Sequence, residues 1–272
     1  MTELILWLQQ FSSPATDSFF LLISALTSEF VYLAVLGVVY WCIDKKKAYY
    51  ISVFLFMSFG INSLLKSIFR IPRPYTYSAV RQIDLDTGYG YSFPSGHAQL
   101  STTFSGMFSV VFKKTWIYIA GVILIILTGL SRMYLGVHTI ADILCGIVIG
   151  LMITYLGNNL KTAEKAKLLG IASFLLLLGT SLVFKSEDTL KLLFFAAGFY
   201  SGNFIEEKYI RYVIPSKKKV CIIGTIVGFI ITILINVILK QIGLIFIRYL
   251  ILGLFITVAV PYFIKKMSKD GR

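Results

Sequence analysis

The chain has only two histidines, and each closes a short motif of a kind that chemistry uses. His97 ends Pro94-Ser95-Gly96-His97. His138 ends Ser131-Arg132-Met133-Tyr134-Leu135-Gly136-Val137-His138, and Asp142 follows four residues later. Upstream, six residues separate Lys66 from Arg73-Pro74. Imidazole titrates nearest neutrality of all side chains, so it suits proton transfer and nucleophilic attack. Lysine and arginine suit anionic oxygens, and the planar guanidinium can bind two at once.

Taken singly, each motif has a bland reading. Lys66 and Arg73 could be a basic helix end whose side chains reach into lipid headgroups. Pro94 and Ser95 are good helix starters, so His97 could sit on the first turn of an ordinary capped helix. His138 and Asp142 share a helical face and could be a structural pair. Together the three motifs offer more. They supply three cations (Lys66, Arg73, Arg132) and a helix start at Ser95-Gly96 whose free N–H groups suit an anion. They also supply two histidines, only one of which has a sequence-local acid. An Asp accepting from one ring nitrogen of His138 would fix the tautomer and free the other nitrogen to act. This set fits phosphoryl transfer without a metal. That reaction needs charge neutralisation, an in-line nucleophile and an acid for the leaving group.

The elements that must position these residues are membrane helices. Hydrophobic residues make up 57% of the chain and charged residues only 14%, with a mean hydropathy of +0.81. A soluble domain would be about a quarter charged. The net charge of +13 could suit nucleic acid, but most cations flank apolar runs, so the bilayer is the expected partner and nucleic acid is not. Cys42, Cys145 and Cys221 all lie in apolar segments and form no disulfide framework or zinc spacing. The first residues lack the basic start of a cleavable signal peptide.

Runs long enough to span are expected near 18–43, 48–69, 96–112, 115–135, 138–156, 168–184, 189–204, 220–239 and 244–264. The expected fold class is therefore all-α, a polytopic bundle of about nine spans. Glu29 interrupts the first run, and Thr27-Ser28-Glu29 reads as a helix start. This divides the chain into an N-terminal interfacial segment (1–28), a membrane core carrying the motifs (29–160) and a four-helix membrane extension (161–272). Alternating the spans puts 17 of the 26 Lys and Arg on one side, including Lys161 and Arg272. The positive-inside rule makes that side cytoplasmic and turns all three motifs outward. The loop between the first two motifs carries Tyr75, Tyr77, Tyr89 and Tyr91 with Asp84 and Asp86. It reads as an interfacial aromatic cluster or as a lid on a headgroup. In the extension, Asn203 and Asn236 read as interhelical hydrogen-bonding residues.

From Lys66 to Asp142 these motifs, without departure, resemble those of the type 2 phosphatidic acid phosphatase family, which includes lipid phosphatases and vanadium haloperoxidases. The membrane character of the chain favours the lipid phosphatases. The stretches Arg70–Pro74 and Ser131–His138 also look like sphingosine-phosphate and polyprenyl-diphosphate phosphatases. The resemblance implies a phosphohistidine on His138, oriented by Asp142, with His97 protonating the leaving group and then activating water. It implies that Lys66, Arg73, Arg132, Ser95 and Gly96 hold the phosphate of a membrane lipid, with no metal and no cofactor. The extension would widen the scaffold, support a homo-oligomer or shape a lipid-access groove. A lipid-phosphate transporter or flippase, or a phosphotransferase, could use the same site. The compartment would be a bacterial plasma membrane with an extracytoplasmic site, or a luminal endomembrane face.

Overall fold

The computed structural model describes residues 2–85, 87–160 and 163–269; Asp86, Lys161 and Arg272 lie outside the described residues. Twelve α-helices follow one another among the described residues. They are α1 (Glu3–Gln9), α2 (Pro14–Leu26), α3 (Glu29–Cys42), α4 (Lys45–Phe69), α5 (Gly96–Phe112), α6 (Thr115–Tyr134), α7 (Ile140–Asn159), α8 (Ala163–Phe184), α9 (Glu187–Ile205), α10 (Lys218–Gln241), α11 (Ile245–Leu254) and α12 (Val260–Lys269). Short π-helical turns lie at Glu206–Ile210 and Phe255–Ala259.

Among the described residues, six helices are long and apolar enough to cross a membrane, or seven if the bent pair α2–α3 counts as one span. By this measure the expectation of about nine is not confirmed. One of the two regions that fall short is α5, which has 17 residues and buries Gln99, Ser101, Thr102, Thr103, Ser105 and Ser109. It packs against α6 and α7, and a helix shielded in this way need not be apolar all round. The other is α9, which opens on Glu187, Asp188 and Lys191 and buries Thr189 and Asn203. The chain does break at Thr27-Ser28: α2 and α3 meet at 47°, and Glu29 opens α3 half-buried.

The helices form two compact units. One comprises Met1–Leu33 with Met57–Ala166, and the other Ala34–Phe56 with Lys167–Arg272. All three motifs belong to the first unit. There α5 and α7 approach closely because α7 places glycine at the contact. A Cβ on Gly146 would stand 2.6 Å from the Ser95 carbonyl oxygen, and one on Gly150 would stand 2.6 Å from Thr102 Cβ. Small residues at such contacts let membrane helices pack backbone to backbone. The second unit pairs α9 with α11 in the same way, with a Cβ on Gly253 falling 2.5 Å from the Phe195 carbonyl oxygen. In this unit Asn203 accepts from Tyr40 Oη at 2.9 Å, and buried Glu206 takes Lys45 at 2.8 Å.

The N-terminal helices brace the motif end of α6. Gln9 Nε2 donates to the carbonyls of Arg81 (2.7 Å) and Tyr134 (2.9 Å), and its Oε1 accepts from Arg81 N at 3.0 Å. Asp17 accepts from Tyr134 Oη and pairs with Arg81 at 2.8 Å. Phe20 stacks on Tyr134 with centroids 4.2 Å apart, and its carbonyl accepts from Ser131 Oγ at 2.9 Å.

Candidate active site

The turn that delivers His138 runs from the end of α6 to the start of α7. Gly136 sits there at φ +77°, and a Cβ would collide with the Arg81 carbonyl oxygen. Both facts require glycine. Thr139 then caps α7. Its hydroxyl accepts from Asp142 N, and Asp142 Oδ2 accepts from Thr139 N at 2.7 Å, which completes a capping box. This reciprocal cap holds the Asp142 carboxylate at the helix start. It explains a departure from the expected direct pair: His138 Nδ1 lies 3.7 Å from Asp142 Oδ2, beyond hydrogen-bond reach. Ser92 Oγ fills the gap, 2.7 Å from Asp142 Oδ2 and 3.3 Å from His138 Nδ1.

On the other edge of the ring, Arg73 Nη1 donates to His138 Nε2 at 3.2 Å and to the Val137 carbonyl at 3.0 Å. His138 is buried. Burial holds its pKa well below the usual imidazole range, and the surrounding charges of Arg73, Lys66, Arg132 and His97 push it the same way. The residues of all three motifs thus act on one imidazole.

The three cations are anchored by a single loop, residues 84–92. Arg73 donates to the carbonyls of Tyr89 (2.6 Å from Nη2) and Gly90 (3.2 Å from Nε). Lys66 Nζ donates to the carbonyls of Tyr91 and Ser92. Arg132 is fully buried. Its Nη1 donates to Asp84 Oδ2 at 2.9 Å and Ser24 Oγ at 2.5 Å, and its Nη2 donates to Thr87 Oγ1 at 3.2 Å. Among the described residues its Nε has no partner, so the Nε–Nη2 edge, a fork of the kind that can take two oxygens of an anion, retains donors. His97 Nε2 is likewise buried without a partner among the described residues. Burial pushes the Asp84 carboxyl up, but hydrogen bonds from Thr87 and the Arg132 guanidinium outweigh it and hold the pKa at about 2.

Ser95 and Gly96 have more local duties than the motif reading gives them. Ser95 Oγ accepts from Ala98 N at 3.4 Å, and its own N–H donates to the Asp142 carbonyl at 3.0 Å, which ties the start of α5 to α7. A Cβ on Gly96 would stand 3.2 Å from Asn62 Oδ1, so the close approach it permits is to Asn62. Asn62 in turn donates to Gln99 Oε1 (2.9 Å), and Gln99 donates to Ser58 Oγ (3.0 Å). In the loop, Tyr75 Oη donates to the Gly88 carbonyl at 2.8 Å, while Tyr77, Tyr89 and Tyr91 are exposed.

Ser24, Asp84, Thr87 and Ser92 are the partners that motif reading missed. Ser92 carried a faint signal, a hydroxyl two residues ahead of Pro94. Ser24 carried none, being 108 residues from Arg132.

Residues 47–165 match the PAP2 superfamily, and residues 190–272 match the transmembrane extension of PAP2 superfamily phosphatases. Mouse sphingosine-1-phosphate phosphatase 2 is 30% identical over 132 residues, 46% of this chain and 37% of that protein. Lipid phosphate phosphatase delta of Arabidopsis thaliana is 28% identical over 177 residues, covering 60% and 42% respectively. Undecaprenyl-diphosphatase of Sulfolobus acidocaldarius is 28% identical over 126 residues, covering 45% and 61%. The chain thus spans between 37% and 61% of the length of these curated relatives. The crystal structure of Aquifex aeolicus LpxE superposes with a TM-score of 0.52 at 24% identity, over 58% of this chain and 93% of that one, a likeness of fold.

Proposed function

Because this chain belongs to the PAP2 superfamily, we propose that it is an integral-membrane lipid phosphatase that works through a phosphohistidine on His138. The observation that carries this reading is the two-sided hold on that imidazole. Arg73 donates to Nε2, so this nitrogen carries the ring's lone pair, which becomes free to attack when the Arg73 guanidinium turns to the phosphoryl oxygens, while Nδ1 faces Ser92 and Asp142. A neutral ring with its lone pair among Lys66, Arg73 and Arg132 is set to attack phosphorus.

In the first step, Nε2 bonds to phosphorus and the phosphorus–oxygen bond to the lipid breaks. His97, as imidazolium, gives its proton to the departing oxygen. The substrate's negative charge is the partner that keeps His97 protonated. In the second step, His97 takes a proton from water, the resulting oxygen attacks phosphorus, and inorganic phosphate leaves His138. Lys66, Arg73 and Arg132 neutralise the phosphoryl oxygens, with the Ser95–Gly96 helix start assisting and no metal required. The unpartnered Arg132 Nε and His97 Nε2 fit contacts to substrate oxygens.

The relatives are named for lipid-borne phosphate monoesters and a polyprenyl diphosphate, which supports a lipid phosphate as the substrate class. The cation asymmetry supports an outward-facing site presented to the outer leaflet. The test is phosphate release by the purified full chain in detergent micelles without added metal. The substrates are phosphatidic acid, phosphatidylglycerophosphate, a sphingoid phosphate and a polyprenyl diphosphate. At least one should be hydrolysed, orthovanadate should inhibit, and His138→Ala should abolish release. Lipid-phosphate flux without turnover would instead favour transport, and phosphate on an acceptor other than water would favour transfer.

A further inference from the structure

The hydroxyl of Ser92 stands between two groups that motif reading pairs directly, and its single proton settles the direction of both contacts. A carboxylate only accepts, so the 2.7 Å contact to Asp142 Oδ2 takes the Ser92 proton. The Val137 carbonyl, at 3.4 Å, is the weaker competitor for it. A Ser92 lone pair therefore faces His138 Nδ1 at 3.3 Å, and Nδ1 must be the donor. The opposite edge requires the same tautomer, because Arg73 Nη1 can only donate to Nε2.

We propose that Ser92 is a positioning residue of this active site, relaying the Asp142 carboxylate to His138 Nδ1 and so fixing Nε2 as the attacking atom. This rests on the reading of His138 as nucleophile. Asp142 cannot do the work alone, since it lies 3.7 Å from Nδ1 and is also held by the Thr139 N–H. When Nε2 bonds to phosphorus the ring becomes cationic, and the Nδ1–H···Oγ–H···carboxylate chain then strengthens. Ser92 thus acts on the rate of phosphorylation rather than on lipid affinity. Its backbone is independently fixed by its N–H to the Ile71 carbonyl at 2.8 Å, so the side chain can be changed without releasing the loop.

The experiment compares Ser92→Ala, Ser92→Thr, Asp142→Asn and the Ser92→Ala/Asp142→Asn double variant of the full chain in micelles. It measures kcat, KM and the single-turnover labelling of histidine from a radiolabelled lipid phosphate. Ser92→Ala should lower kcat and the labelling rate roughly 10- to 100-fold, the effect of one charge-assisted hydrogen bond. KM should stay within about twofold, the magnitude of a lost interaction made mainly in the transition state. Ser92→Thr should restore most of the rate, and the double variant should be no slower than Asp142→Asn. Wild-type labelling rates in Ser92→Ala would overturn the relay. So would a double variant whose loss is the product of the two single losses. If instead the wild-type label lies on a residue other than His138, the nucleophile assignment itself fails, an outcome distinct from failure of the relay.

Discussion

Asp84 forms an ion pair with the fully buried Arg132 guanidinium, and its removal should be felt mainly as lost stability. Its two oxygens accept from four donors: Oδ1 from Thr87 N at 2.9 Å, and Oδ2 from Arg132 Nη1, Ser24 Oγ and Thr87 Oγ1. In Asp84→Asn one oxygen becomes an NH2 group. If the remaining oxygen keeps the Arg132 position, the Thr87 N–H loses its acceptor, which costs about 1–3 kcal/mol. The pair also loses its charge. A carboxyl held at about 2 instead of 3.8 corresponds to roughly 2 kcal/mol of preference for the charged form. That preference already contains the Thr87 N–H bond, so the two are not added; the loss is about 2–3 kcal/mol, at or just below the usual cost of leaving one partner of a buried ion pair alone. For a chain of this size that is a Tm fall of roughly 4–12 °C. Thermal unfolding in detergent at pH 7 would measure it. The same carboxyl gives a pH signature: its folded pKa lies below the unfolded one, so its contribution is full above pH 3.8 and is lost as pH falls through about 2. Orthovanadate, an anion able to meet Arg132, should recover part of the loss in Asp84→Asn by mass action. An Asp84→Asn protein melting within about 1 °C of the parent would refute the view that Asp84 compensates the buried charge, since that view requires several degrees.

Three more outcomes follow from the same geometry. With only two histidines, a ¹⁵N-histidine-labelled His97→Gln protein shows His138 alone by NMR. Its ring should be the Nδ1–H tautomer and stay neutral well below pH 6.5, because burial and cations depress its pKa; an imidazolium at pH 6 would contradict this. By the same sign, folding stability should fall as pH drops below 6.5, where the unfolded histidine binds a proton that the folded one resists. Gly136→Ala places a Cβ against the Arg81 carbonyl at φ +77°; it should lower both Tm and activity, and an unaltered Tm would show that the turn can relax. Tyr77→Ala, which removes an exposed ring beside the site, should change the relative kcat/KM among the lipid phosphates; equal ratios across the panel would remove the lid role.

The motif residues were legible because each motif is local. His138 and Asp142 share one helical face by their spacing alone. What the sequence hid was long-range partnership. The expected His138–Asp142 contact ignored that the capping box uses the carboxylate, which leaves room for Ser92. Arg132 reads as a free phosphate ligand until Ser24 and Asp84, 108 and 48 positions away, are seen to hold one edge of it. Hydropathy also leaves the number of spans open. By length and composition α5 falls just short of a span, yet its buried Gln99, Ser101 and Thr102 face protein rather than lipid. A composition rule cannot see which neighbour covers a helix.

In the proposed mechanism His138, and not His97, carries the phosphoryl group. Rapid quench of the full chain with a radiolabelled lipid phosphate, followed by alkaline digestion-stable peptide mapping, tests this directly. One acid-labile label should appear per active site, on the peptide containing His138, and should vanish in His138→Ala. Label on His97, or steady turnover by His138→Ala, would contradict it.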